Sequence, residues 1–327
     1  MPERFIVCGD LHWRSVNPVA RVDNFQEALT AKLYEVFQLA REHIASAIII
    51  PGDIFDSSHL SLSTIGDLAE ILDKRPCAVL TVPGNHDEYA GNIDSLARTP
   101  YGLLARLELI WNVHATPWGS PLGSVVVTGH GFNNETDRDK SQYSINRKRD
   151  RRAIIHLAHG MLLEKAPPFE MRHTLLSELE ELPDLPDVLI NGHYHAGMEV
   201  QWVRQTMVVN PGALCRLSAS AEEMARPVQV AVLTVNGPGD CRVEMAPLQC
   251  ARPGCEVLTR DHIERKAETE ERINRFLSLL AAEGESKFLE VRDIVSDIAR
   301  REALPDAVVK DALDRIAKAR EDLGKTA

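Results

Sequence analysis

The chain has 327 residues, 44% of them hydrophobic and 26% charged, which suits one large soluble domain or one domain with a smaller appendage. Its formal net charge of −11 excludes the strongly basic type of nucleic-acid-binding chain and speaks for solubility. The six cysteines are scattered with no CxxC pair, which excludes zinc-finger spacing and makes reduced thiols the expectation.

In chain order, short apolar runs end repeatedly in polar or glycine-containing turns. They are "RFIVCGD" (4–10), "AIIIPGD" (47–53), "AVLTVPGN" (78–85), "SVVVTGHG" (124–131), "AIIHLAHG" (153–160) and "DVLINGH" (187–193). Little polar alternation within them predicts strands buried on both faces. Between the first two, residues 24–43 place Phe25, Leu29, Leu33, Val36, Phe37 and Ala40 at helical spacing. A second helix is expected over 62–74. Strand–helix–strand alternation argues an α/β fold with helices covering a sheet. The segments 198–212 and 227–237 read as hairpin material, so the sheets are expected to be mixed. Around residue 250, "CARPGCEV" reads as a boundary, giving a catalytic domain over 1–250 and a helical region over 251–327. Helices are expected there over 259–284, 286–303 and 304–324, with Gly284 and Gly324 as stops and Pro305 in a first turn. No apolar run approaches the roughly 18–20 residues that cross a bilayer, and no apolar leader opens the chain. A cytoplasmic protein without membrane contact is expected.

The residues just beyond the predicted strands carry the chemistry. They are Asp10-Leu11-His12, Gly52-Asp53, Gly84-Asn85-His86-Asp87, His159-Gly160 and Gly192-His193-Tyr194-His195. In α/β sheets, sites form beyond the carboxyl ends of strands. Asp10, His12, Asp53, Asn85, His159, His193 and His195 supply seven oxygen and nitrogen donors. One transition-metal ion takes about four to six ligands, so seven exceed one ion. Two ions sharing Asp53 use all seven as four apiece. Residues i and i+2 share a side of an extended chain, so His193 and His195 can face one crevice, each serving its own ion, with Tyr194 turned away. His156 competes with His159; the glycine after His159, at the strand end, favours His159. His130 reads as rim or structural.

The ordered set Asp10-x-His12, Gly52-Asp53-x-x-Asp56, Gly84-Asn85-His86-Asp87, His159 and Gly192-His193-x-His195 resembles the calcineurin-like metallophosphoesterase superfamily, over residues 1–215. The resemblance implies a β-sandwich flanked by helices, a four-layer α/β/β/α sandwich with mixed sheets, that binds two divalent ions, commonly Mn2+. By motif, Asp10, His12, Asp53 and His195 would hold one ion, and Asp53, Asn85, His159 and His193 the other. His86 would be the non-ligand histidine facing the scissile phosphate, protonating the leaving group, with Asp87 orienting it.

"GDIFDSS" (52–58) and "VVNPGALCRLSAS" (208–220) are similar to segments of SbcD-type DNA repair nucleases. Ser57-Ser58 and GNHD disfavour the protein phosphatases of the superfamily. A Mn-dependent DNA exonuclease or endonuclease is therefore expected, with a small-molecule (cyclic nucleotide) phosphodiesterase as the alternative. A non-catalytic scaffold on the same fold ranks below both, because such scaffolds lose ligands and this chain keeps them all. Arg147, Lys148, Arg149, Arg151 and Arg152 form a basic run that could contact a phosphate backbone or simply be a solvated helix face. The resemblance also implies a coiled-coil ATPase partner engaged by the C-terminal helices. A homodimer is compatible with the reading.

Overall fold

The computed structural model describes residues 2–145, 152–261, 269, 272–273, 295, 298–300 and 305–324. Strands follow in the order β1 (Glu3–Val7), β2 (Ala47–Ile50), β3 (Ala78–Thr81), β4 (Trp111–Asn112), β5 (Trp118–Gly119), β6 (Val125–His130) and β7 (Ala153–His159). A short pair, β8 (Leu162–Leu163) and β9 (Thr174–Leu175), precedes β10 (Val188–Gly192), β11 (Gln201–Val203), β12 (Thr206–Val209), β13 (Gln229–Gly237) and β14 (Asp240–Pro247).

Twelve of these strands form two six-stranded mixed sheets. The first has the order β14-β13-β1-β2-β3-β4 and the second β11-β12-β10-β7-β6-β5. In the first, β1, β2 and β3 are parallel and β13 is antiparallel to β1. In the second, β6, β7, β10 and β12 are parallel and the edge strands β5 and β11 run antiparallel.

The period-two alternation of strand side chains sorts each apolar run between two cores. Phe5, Val7, Ile49 and Leu80 of the first sheet meet Val127, Ile155, Val188, Ile190 and Val209 of the second, filling the space between the sheets. Ile6, Ile48, Ile50 and Val79 point the other way. They pack under the helices α1 (Phe25–Glu42), α2 (Leu62–Leu72) and α3 (Pro100–Arg106), against Leu29, Leu33, Phe37, Leu68 and Leu104. The outer face of the second sheet, with Ala158, Leu189 and Val208, is covered by Tyr143, Leu176 and Leu179 from short 3-10 helices. The chain therefore builds helices, sheet, sheet and helical turns, a four-layer sandwich.

Helix starts are set where the sequence offers caps. Asn24 accepts from the Glu27 N–H, and Ser61 accepts from the Thr64 N–H. The short helices α4 (Ala221–Ala225) and α5 (Gly254–Val257) pack on the same unit, and an isolated bridge pairs Arg21 with Leu258. The chain divides into a unit over Met1–Arg260 and a second over Asp261–Ala327. In the second unit, α6 spans Asp306–Gly324 and carries an Asp311–Arg315 pair one turn apart at 2.9 Å. Most of the predicted helices over 259–284 and 286–303 lies outside the described residues. No described helix is long and apolar enough to cross a membrane.

Candidate active site

The carboxyl ends of β1, β2, β3, β7 and β10 converge, and their following turns deliver the donors. Asp10, His12, Asp53 and His195 form one group whose ligand atoms all lie within 4.8 Å of one another. Asp53, His159 and His193 form a second, and the Asn85 Oδ1 is 3.1 Å from His159 Nε2. Ligands at 2.0–2.2 Å from one ion can be at most about 4.4 Å apart, so both groups are close to coordination size. Asp53 belongs to both. Its Oδ2 is 3.4 Å from His12 Nε2 and 3.4 Å from His159 Nε2. The Nε2 atoms of His12 and His195 face each other at 3.0 Å, and His195 Nε2 is 3.4 Å from Asp10 Oδ2.

The donor chemistry fits cations. Asp10 and Asp53 are 2% and 1% exposed, and burial alone would push both carboxyls up; the surrounding histidines outweigh it and hold both below the usual range. Burial likewise works against a charged His159, but the Asp53 and Asp10 carboxylates raise its imidazole to about 10. Buried carboxylates thus draw positive charge onto nearby imidazoles, a role divalent ions take over when bound. Burial lowers His193 to about 4, with His159 beside it, which keeps its lone pair free for a metal.

The backbone is strained where the donors sit. His12, Asp53 and His193 have φ of 49°, 46° and 78°, a region that costs non-glycine residues about 1–3 kcal/mol each. Two glycines permit the crowding. Gly52 (φ 113°) lies against the His159 ring, and Gly84 lies against the Asp53 carboxylate, so a Cβ at either would collide with a ligand. The segment 210–214 braces the ligand turns: Leu214 N donates to Asp10 O (3.0 Å), Ala213 N to His195 O (2.9 Å) and Asn210 Nδ2 to Tyr194 O (3.0 Å).

The sequence model of the calcineurin-like phosphoesterases matches residues 3–197. The chain belongs to this family. No curated protein matches it. Among solved structures, this phosphoesterase is similar to a dimetal phosphatase from Danio rerio, at 12% identity over 75% of this chain and 96% of that one, TM-score 0.48. A 5'-nucleotidase precursor from Thermus thermophilus matches at 13% identity over 78% of this chain and 56% of its own length, TM-score 0.47. An archaeal phosphodiesterase matches at 13% identity over 74% of this chain and 99% of that one, TM-score 0.36.

The phosphoesterase motifs converge, but two expectations need correction. First, Asp87 does not touch the His86 ring. It is fully buried and accepts from the backbone N–H groups of Gly84 (2.9 Å), Phe55 (3.0 Å) and Ile54 (3.2 Å). His86 is oriented instead by its Nδ1 donating to the Asp56 carbonyl at 2.7 Å, and its own N–H donates to Asp53 Oδ1 at 2.9 Å. Second, His193 and His195 reach different donor groups through a left-handed bend rather than along an extended strand: the His193 ring lies 5.1 Å from His159 and the His195 ring 4.8 Å from His12. Of the basic run, Arg152 precedes β7 while His159 ends it, one seven-residue strand, about 20 Å, away. Arg147, Lys148, Arg149 and Arg151 lie outside the described residues. His156 faces away from the site, held by Thr128 Oγ1 and the Gln142 carbonyl at 2.8 Å each.

Two neighbours of the site carried no assigned role in the sequence. The Asp56 carboxylate places Oδ1 3.4 Å from His12 Nδ1 and Oδ2 2.9 Å from Arg14 Nη1. A carboxylate facing an imidazole at that range favours the tautomer with its proton on Nδ1 and Nε2 free for a metal. His12, Asp56 and His86 also form a compact donor group, but the Arg14 guanidinium already occupies Asp56, which disfavours a cation there. Glu88 is 3% exposed, neither of its oxygens has a hydrogen-bond partner, and burial pushes it up to about 7. Its position after GNHD gave no signal; only burial reveals it.

Proposed function

We propose that this phosphoesterase is a Mn2+-dependent nuclease that hydrolyses DNA phosphodiesters. The observation that carries the two-metal part is Asp53, whose carboxylate is within reach of both donor groups. Asp10, His12, Asp53 and His195 would hold one ion, and Asp53, Asn85, His159 and His193 the other. Bound there, two divalent cations would supply Lewis acidity, lowering the pKa of a water and offsetting charge on the phosphoryl oxygens.

The chain's own residues supply the remainder. The His86 Nδ1–H is tied to the Asp56 carbonyl, which fixes the ring and leaves Nε2 free to face the substrate. Nε2 is then the atom that gives a proton to the departing alkoxide. The strained turns at His12, Asp53 and His193 keep the donors in place before substrate arrives.

DNA as substrate rests on the likeness of Gly52–Ser58 and Val208–Ser220 to SbcD-type nucleases. The same likeness supports a coiled-coil ATPase partner for the C-terminal unit. A second reading, hydrolysis of a small diester such as a cyclic nucleotide, is favoured by the net charge of −11, which repels a polyanion. The test incubates the protein and Mn2+ with labelled linear duplex, single-stranded DNA and cyclic nucleotides, with and without chelator. Chelator-sensitive DNA cleavage is expected. Hydrolysis of cyclic nucleotides with DNA left intact would overturn the nuclease reading.

A further inference from the structure

The two loops that carry His86 and its carbonyl partner continue past the donors into one cavity. His86 Nδ1 donates to Asp56 O, and Tyr89 OH donates to Ser58 O at 3.4 Å, so the loops stay joined on their way out. Beyond them lies a cavity of about 620 Å³, within the size range of small-molecule sites. Its wall begins at Ser58, two residues past Asp56, and at Tyr89, three residues past His86. The α2 start and the α3 turn complete it.

The lining has a consistent chemistry. The His59 and Tyr89 rings pack on each other, centroids 4.7 Å apart at 59°, and form one aromatic wall. Leu62 and Leu103 are 83% and 39% exposed at its rim, large apolar side chains left in water. Arg98 and Arg106 also line it, and no acidic side chain does, on a chain of net charge −11. Aromatic faces, aliphatic edges and guanidinium groups together suit a flat heteroaromatic ring attached to an anion.

We infer that this cavity seats the leaving-group nucleoside, its base packed against His59, Tyr89 and Leu62 and its neighbouring phosphate met by Arg98 and Arg106. The inference rests on the reading of His86 as the proton donor, because the group that receives that proton must extend from His86's side of the site. It adds a base-binding subsite to the phosphodiesterase reading; the base contacts apply to DNA and to small nucleotide diesters, the Arg98 and Arg106 contacts to DNA, whose leaving nucleoside carries a further phosphate.

The test uses an aryl diester that needs no DNA. Mn2+-dependent hydrolysis of bis(p-nitrophenyl) phosphate is followed while 2'-deoxyadenosine or base-free 2-deoxyribose is added. Base stacking predicts that the nucleoside inhibits at least about fivefold more tightly than the sugar. In His59→Ala and Tyr89→Ala chains that retain their metal content, that ratio falls toward one. Equal inhibition by nucleoside and sugar in the unaltered chain, or an unchanged ratio in both variants, overturns the subsite. Nucleoside preference without any DNA cleavage would defeat the nuclease reading alone; DNA cleavage without nucleoside preference would defeat the subsite alone.

Discussion

Asp87→Ala separates a structural staple from a catalytic partner. In the native chain the Asp87 carboxylate caps three buried N–H groups, those of Ile54, Phe55 and Gly84, at 3.2, 3.0 and 2.9 Å. Burial pushes this carboxyl up to about 8, against the downward pull of the three donors. Truncation strands all three, and each unsatisfied buried donor costs about 1–3 kcal/mol. With some water entering the space, the loss sums to roughly 3–6 kcal/mol of unfolding free energy. Two of the stranded groups follow Asp53 directly and the third precedes Asn85, so metal retention should weaken as well. Urea unfolding followed by tryptophan fluorescence suits the test, since Trp13 is fully buried in the first unit. An unfolding free energy within about 0.5 kcal/mol of the unaltered chain, together with a large fall in kcat, would refute the staple and restore the orienting role.

Other expectations are equally direct. His86→Ala should keep both metals and lose about 10²–10⁴ in turnover, and elemental analysis showing metal loss would remove its assignment as proton donor. Asp56→Asn should weaken metal affinity about 10–100-fold by releasing His12 Nδ1; an unchanged metal titration would show that the contact does nothing. His156, fully enclosed, is lowered by burial to about 4 from an ordinary 6.5. Between those values the unfolded chain binds a proton that the folded chain does not. Stability is therefore full above about pH 6.5 and falls as the pH drops to 4, by about 3 kcal/mol from this group. Urea midpoints at pH 7 and pH 4.5 for the unaltered chain and for His156→Gln should show a smaller acid loss in the variant. Parallel losses would place the acid sensitivity elsewhere.

Much of the fold was legible because the apolar runs are short, β-branched and closed by glycine or polar turns. Parallel strands buried on both faces produce that pattern, and the caps Asn24 and Ser61 lie where polar residues precede apolar periodicity. The donor set was legible because it follows strand ends. What escaped depends on three-dimensional direction. Asp87 adjoins His86 in sequence, yet its carboxylate turns to the Ile54–Phe55 turn, thirty-odd residues away. Asp56 reaches His12 and Arg14 across the site. The bend at His193 comes from a positive φ that no residue type announces there. The cavity beside Tyr89 needed residues 58–62, 89 and 97–106 brought together, a grouping with no sequence period.

The central claim is a two-metal centre organised on Asp53. Its most direct test is the anomalous scattering of manganese in crystals of the loaded protein, paired with elemental analysis of the same preparation. The expected result is two manganese ions per chain, roughly 3.5–4 Å apart, with the Asp53 carboxylate between them. A single ion, or an ion held by His12, Asp56 and His86 in place of the His159 side, would contradict it.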